Sequence, residues 1–162
     1  MEIVKNLTQS KLLKTLSIIF LGTVLLAVSS KIKIPFYPVP MTMQTLVVLI
    51  IGIGFGWKLG VATIALYLFE GIIGLPVFSG TPEKGFGLVY FTGPTMGYLI
   101  GFLVAVFFAG KFNYNNNLIN NFLKLTFATS FIYILGMLWL GGLIGWDKPI
   151  FKLGAQPFLL AE

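Results

Sequence analysis

The chain has 162 residues, of which 57% are hydrophobic and 10% are charged, and its net charge is +6. A soluble domain carries about 25% charged residues, so lipid rather than water is the expected solvent for much of the surface. Cysteine and histidine are both absent, which excludes disulfide scaffolds, thiolate metal sites and the commonest general base. The lysines are scattered at the ends of apolar runs, a pattern that favours membrane anchoring over nucleic-acid binding.

Five apolar segments divide the sequence, and the charged residues fall mainly between them. A membrane helix needs about 20 predominantly apolar residues, and this succession is typical of an all-α bundle that crosses the membrane several times. The first segment could also be read as a cleaved signal peptide, although no typical cleavage site follows it. The pattern predicts spans at 12–30, 43–55, 59–73, 94–109 and 122–144, and a sixth that begins near 156–158.

The connections between these spans are rich in proline, glycine or asparagine. Residues 35–40 hold three prolines in six positions, which predicts an ordered extended loop because proline removes backbone donors and stiffens the chain. Residues 74–93 are irregular yet apolar, and non-helical backbone at membrane depth is tolerated only where it packs on protein or lines a cavity. Residues 113–121 contain six Asn and predict a polar connection.

The lysines favour an orientation with the N-terminus inside. Lys5, Lys11 and Lys14 lie before or at the start of the first span, and basic residues around a first span usually dominate the orientation. The expected outer segments are 31–42, 74–92 and 145–156, and the expected inner segments are 56–59 and 110–121.

No catalytic constellation is present in the sequence. A serine nucleophile would lack a histidine base, and the five acids do not pair at helical spacing. The glycines at 52, 54 and 56 follow an apolar helix and lack the lysine of a phosphate loop, so close helix packing is the preferred interpretation. We therefore expect no enzymatic activity, no metal site and no cofactor.

Two features suggest a polar site near the outer end. Glu70 is the one acid inside an apolar run, and it is either a functional carboxylate in the membrane or an interfacial Glu that pairs with Lys31, Lys33 or a helix terminus. Tyr90 and Thr95 lie in or beside the irregular stretch. A pocket there would be apolar with a few polar groups, which suits a small, largely neutral organic molecule.

Four blocks of sequence, in order, resemble a known family. They are P-V-P-M-T-M-Q-T-L (38–46), G-L-P-V-F (74–78), G-P-T-M-G-Y-L-I-G-F (93–102) and Q-P-F-L-L-A-E (156–162). The segment 80–91 is similar to the same family. The chain thereby resembles, over about residues 12–162, the biotin transporter substrate-binding subunit, the S component of energy-coupling-factor vitamin importers.

The resemblance implies a bundle of six transmembrane helices that captures biotin from outside, in a pocket closed by the loops 31–45 and 74–95. Five helices and the start of the sixth would lie in this chain. The implied partners are a transmembrane coupling subunit and two cytoplasmic ATPase subunits, in a bacterial inner (plasma) membrane. The substrate contacts that it predicts are Gln44, Thr45, Phe78, Thr81, Tyr90, Thr95, Tyr98 and Glu162, and the partner-docking residues are Gly22, Thr23 and Ala27.

The end of the chain departs from the family pattern. Ala161-Glu162 stand where Gly-Asp is usual, and the family's lysine three positions further on lies beyond the last residue. The sequence therefore predicts one transmembrane vitamin-binding domain over 1–162 that is shorter than the natural chain. Three alternatives remain: an S component for another vitamin, a membrane assembly subunit without a ligand, and an integral-membrane transferase, which would need an acid cluster or a histidine.

Overall fold

The computed structural model describes residues 2–34, 39–79, 87–115 and 117–156, without the side chains of 2–10. Its first element, α1 (Glu2–Lys31), carries the first apolar run. The helix begins ten residues before the predicted span, because its polar first turns give no apolar signal in the sequence. It ends shortly before the Ile34-Pro35 pair, where the residue before proline disfavours helical backbone.

A short antiparallel ladder follows α1. Strand β1 (Lys33–Ile34) pairs with β2 (Met41–Thr42), so that Lys33 lies opposite Thr42 and Ile34 opposite Met41. The residues on either side of the predicted extended loop therefore pair with each other. Residues 35–38 of that loop lie outside the described part of the chain. This ladder is a small departure from an all-α architecture.

Helix α2 (Gln44–Ile72) is a hairpin of two arms. Gly56 has φ 72° and ψ 170°, a conformation that breaks the helix. The Gln44 Nε2 atom donates to the Tyr67 hydroxyl at 2.7 Å, whereas a straight helix would place these two residues about 35 Å apart. The arms 44–55 and 57–72 therefore run antiparallel, in agreement with the two predicted spans.

Helix α4 (Met96–Lys111) packs against both α2 and α5 (Leu118–Ile144). Glycines allow the helices to approach closely. A Cβ at Gly101 would lie 2.5 Å from the Ile132 Cα on α5, and a Cβ at Gly110 would overlap the backbone of Trp57. Gly101 and Gly110 thus serve packing between helices of one chain. Of the three glycines predicted to do so, Gly52 packs closely on α4, whereas a Cβ at Gly54 or Gly56 would meet nothing within 4 Å, so the prediction was wrong for these two.

The boundaries of the later elements differ from the predicted ones. Helix α4 starts at 96, two residues after the predicted 94. Helix α5 starts at 118, four residues before the predicted 122, because the Asn117 side chain accepts from the Asn120 N–H as an N-cap. Two short helices were not predicted: α3 (Leu88–Phe91) lies in the irregular stretch, and α6 (Ile150–Gly154) lies in the segment expected as an outer turn.

The surface of the helices is apolar enough for a membrane. Among the described residues, three helical segments are long and apolar enough to cross one, Lys11–Lys31, Gln44–Ile72 and Leu118–Ile144, and α4 is a shorter apolar helix. Because α2 folds back at Gly56, its two arms would enter the bilayer separately. The exposed large apolar side chains on α1 and α5 include Leu12, Leu16, Phe20, Leu25, Phe122, Leu138 and Leu143.

Candidate ligand-binding site

A cavity of about 50 Å³ lies at the end of the bundle where α1 ends and α4 begins. A buried cavity needs at least about 10–15 Å³ to hold one water molecule. A cavity of about 50 Å³ therefore admits only a few water molecules. No charged side chain is among the described residues that line it. The ladder and the start of α2 contribute Val39, Pro40, Met41, Thr42, Gln44 and Thr45; the 78–95 region contributes Phe78, Ser79, Tyr90 and Thr95; and α4 and α5 contribute Tyr98, Leu99, Phe102, Ile132 and Tyr133.

The Phe78 ring forms an aromatic wall of the cavity. It stacks on Tyr90 with 4.7 Å between ring centroids and meets Tyr67 edge-on at 5.3 Å and Phe91 at 5.5 Å. A side chain on Gly71 would overlap this ring, so the absence of a Cβ at position 71 makes room for it. Aromatic contacts of this kind fix ring positions, and the wall therefore presents a defined flat surface.

Gln44 supplies a buried amide whose orientation is set by its neighbours. Its Oε1 accepts from the Thr42 hydroxyl at 3.1 Å, and its Nε2 donates to the Tyr67 hydroxyl at 2.7 Å, which in turn donates to the Val77 carbonyl at 2.9 Å. A primary amide has two donor hydrogens and two acceptor lone pairs. The contacts among the described residues use one of each, and the other donor and acceptor can meet a ligand that, like this amide, both donates and accepts.

Side chains at the end of α1 and in β1 donate hydrogen bonds to backbone carbonyls of the 76–79 segment. The Lys31 ammonium donates to the carbonyls of Pro76 and Phe78, both at 2.7 Å, and the Lys33 ammonium donates to that of Ser79 at 2.6 Å. Ser30 adds a bond to the Val77 carbonyl at 2.7 Å. These contacts join the two predicted pocket loops, 31–45 and 74–95, to each other.

The structure brings most of the predicted substrate contacts to this one cavity. Gln44, Thr45, Phe78, Tyr90, Thr95 and Tyr98 all line it, and their role in binding stays a prediction. Thr81 and Glu162 lie outside the described residues. Three further lining residues were not predicted as substrate contacts: Phe102, Ile132 and Tyr133. They belong to helical runs that are apolar on all sides, so no single face stands out in the sequence.

The predicted partner-docking residues face their own chain. A Cβ on Gly22 would lie 2.5 Å from Thr63 of the second arm of α2, and Thr23 is buried and donates to Glu70 Oε1 at 3.0 Å. Ala27 is half-buried against the core. Gly22 and Thr23 are thus engaged within the chain rather than presented at its surface, and docking through them stays a prediction.

Glu70 accepts a hydrogen bond from the Thr23 hydroxyl. One of the two interpretations of Glu70 had Lys31 or Lys33 as its partner. The ammonium groups of Lys31 and Lys33 go to backbone carbonyls instead. No group of three or more acidic side chains able to hold a metal ion occurs within the described ranges. The cavity's chemistry is accordingly that of neutral polar and aromatic recognition.

Comparisons with known proteins place this fold. The sequence profile of the BioY family matches residues 4–162. The chain belongs to the BioY family. A probable biotin transporter BioY from Pyrococcus horikoshii is 34% identical over 153 residues, which cover 92% of this chain and 87% of that protein. Biotin transporter BioY2 from Lactococcus lactis subsp. cremoris is 33% identical over 158 residues, covering 95% and 85%.

A solved structure supports the same placement of this BioY-family chain. It is the 2.1 Å crystal structure of the S-component for biotin from an ECF-type ABC transporter, with a TM-score of 0.74 and 25% identity. The match covers 93% of this chain and 82% of that one. The predicted family and the α-helical membrane fold are thereby confirmed, and the chain is a membrane protein that crosses the bilayer several times.

Proposed function

We propose that this chain binds biotin at the outer side of the membrane, as the substrate-binding subunit of a vitamin uptake transporter. The observation that carries the proposal is the cavity at one end of the bundle, with an aromatic wall and an amide held by Thr42 and Tyr67. A ureido group both donates and accepts hydrogen bonds, and buried polar groups must find partners. The free donor and acceptor of Gln44 match that requirement.

The stacked ring of Phe78 suits the rest of the substrate's head, in which the ureido ring is fused to an apolar sulfur-containing ring. Biotin carries a compact fused-ring head, and flat apolar walls bind such heads by excluding water and by dispersion. Because the cavity holds only a few water molecules, admitting the head requires its walls to separate. Among the described lining residues, the 39–42 and 78–79 segments and Thr95 are the non-helical parts of that wall.

The wider setting of the proposal is an importer. The coupling partners would be a transmembrane subunit and two cytoplasmic ATPase subunits, and the membrane a bacterial plasma membrane. The chain itself would carry no enzymatic activity and need no cofactor. What supports this setting is membership of the BioY family together with the likeness to the S-component for biotin.

Binding of radiolabelled biotin to the full chain in detergent tests the proposal. We expect saturable binding that unlabelled biotin displaces and that riboflavin and thiamine do not. Displacement by another vitamin would instead identify an S component for that vitamin. Saturable binding of none of them would leave the assembly subunit as the better description.

A further inference from the structure

The cavity accounts for the head of the proposed substrate but not for its charge. Biotin ends in a carboxylate, and a carboxylate cannot be buried without a cation or several donors. The described residues that line the cavity include no lysine and no other charged side chain. Among the described residues, a cation for the carboxylate is therefore to be sought beside the cavity lining rather than within it.

Two lysines contact backbone carbonyls of residues that line the cavity. The Lys31 ammonium contacts the carbonyl of Phe78, and the Lys33 ammonium contacts that of Ser79. Phe78 and Ser79 both line the cavity. Lys33 is also paired through the ladder with Thr42, a third lining residue. Both lysines are exposed, so an anion can reach them from water.

We propose that Lys31 and Lys33 form a carboxylate-binding subsite for the tail of the substrate, an inference that rests on the proposed function. An ammonium group has three N–H donors; of the described contacts, Lys31 uses two and Lys33 uses one. Donors therefore remain for a ligand without breaking these contacts. Two like charges held on neighbouring carbonyls also create a local positive potential that attracts an anion.

The same lysines connect tail recognition to the wall of the cavity. Their present acceptors are neutral carbonyls, and a charge-assisted bond to a carboxylate is roughly twice as strong. A carboxylate that binds the remaining donors therefore draws the two ammonium groups towards itself and weakens, without breaking, their contacts with the 76–79 segment. The subsite would select a substrate with an anionic tail and loosen the wall through which the head passes.

The test compares biotin with biotinamide, which has the same head and a neutral tail. For the full chain in detergent, we expect biotin to bind about tenfold more tightly than biotinamide, with a preference that falls as salt is raised. The double variant Lys31→Gln/Lys33→Gln should lose the preference, and Lys31→Arg/Lys33→Arg should keep it. Lys148→Gln, an exposed lysine at the same end, is the matched control and should also keep it.

The ratio of the two affinities separates recognition from mere support. If the lysines only support the 76–79 segment, the double variant would bind biotin and biotinamide more weakly by the same factor. An unchanged ratio of the two affinities would overturn the subsite and leave the proposed function standing. Equal binding of both ligands by the parent would do the same. Binding of neither ligand by the parent would reject the proposed function and the subsite together. If the double variant does not fold, Lys33→Gln alone decides, since Lys31 then keeps both of its carbonyl contacts.

Discussion

Gln44 is the residue at which the ladder, the hairpin and the cavity meet. It is 4% exposed, and its amide bridges the Thr42 hydroxyl to that of Tyr67. Through Tyr67 the same chain of hydrogen bonds reaches the Val77 carbonyl in the 76–79 segment. A change at Gln44 therefore affects the ligand and the segment beside it at once.

Replacing Gln44 with Ala should weaken biotin binding about tenfold to a hundredfold. The reason is that a buried hydrogen-bonding group of the ligand would lose its partner, which costs about 1–3 kcal/mol. Asn113→Ala, an exposed amide at the opposite end of the bundle, is the control and should bind like the parent. Equilibrium binding of radiolabelled biotin measures both. Unchanged affinity in the Gln44 variant would place the ureido group elsewhere.

Gly71 determines whether the Phe78 ring can occupy the cavity wall. In Gly71→Ala the added methyl group overlaps the ring, which is held between Tyr67 and Tyr90 and cannot move freely. We expect the overpacking to lower stability by about 1–3 kcal/mol and biotin affinity to fall with it. Gly142→Ala, where nothing lies within 4 Å of the new Cβ, should change neither. Thermal unfolding and biotin binding in detergent would show a lower midpoint with undiminished affinity if the ring's position were irrelevant to the ligand.

The site residues that the sequence could predict lie in loops or at helix starts. Tyr90 and Thr95 stand in or beside a glycine-rich segment, and an irregular segment in an apolar protein has to pack on protein or line a cavity. Thr45, beside the proline-rich segment, was predicted only from the family resemblance. Phe102 and Tyr133 reach the same cavity from the middle of helices. Apolar periodicity identifies a buried face but does not tell a cavity wall from a solid core, so these two were missed.

At the scale of the element, the hairpin of α2 depends on one glycine. Gly56 combines positive φ with extended ψ, a region that is essentially restricted to glycine. The turn it makes also lets Gly110 of α4 approach the backbone of Trp57. The hairpin and its packing on α4 therefore rely on the same short stretch of chain.

Gly56→Ala should destabilise the fold by about 1–3 kcal/mol, the range for a residue forced into such a conformation. Gly54→Ala is the matched control in the same arm, because a Cβ there meets nothing within 4 Å. An alanine inside a helix is favoured over glycine by roughly 0.5–1 kcal/mol, so this control should be unchanged or slightly stabilised. Unfolding midpoints in the same detergent compare the two. A Gly56 variant as stable as the Gly54 variant would contradict the strained turn.

The helix boundaries that depend on local composition could be predicted from the sequence. The boundaries that depend on a single side-chain contact could not. The break between 55 and 59 follows from glycines beside Lys58, and the five spans follow from uncharged runs. The start of α5 depends on one Asn117 side chain among several asparagines. The helix α6 depends on the hydroxyl of Tyr98, which donates to the Gly154 carbonyl at 2.8 Å from 56 residues away. Such contacts between distant residues leave no mark on local sequence.

At the scale of the whole molecule, the two ends of the bundle differ in chemistry. One end gathers Lys31, the 76–79 segment and the end of α5, where the Trp139 indole donates to the Gly93 carbonyl at 2.9 Å. The other end carries Lys58 over the Trp57 ring at 5.5 Å and Lys111 over the Phe107 ring at 5.4 Å. Aromatic and lysine side chains of this kind anchor a helix end at the membrane surface. The described parts of the loops are thus grouped at two ends as the sequence predicts. That the end with Lys58 and Lys111 faces the inside, as Lys5, Lys11 and Lys14 favour, stays a prediction.

Single cysteines can test that orientation, because the chain has no native cysteine. Asn113 and Lys148 are both exposed and lie at opposite ends: Asn113 follows α4 beside Lys111, and Lys148 follows α5 beside the cavity end. In intact cells, a membrane-impermeant maleimide should label Lys148→Cys and should reach Asn113→Cys only after the membrane is permeabilised. The parent, with no thiol, measures background labelling. The reverse pattern would place the cavity on the inner side, and the chain could not then capture its substrate from outside.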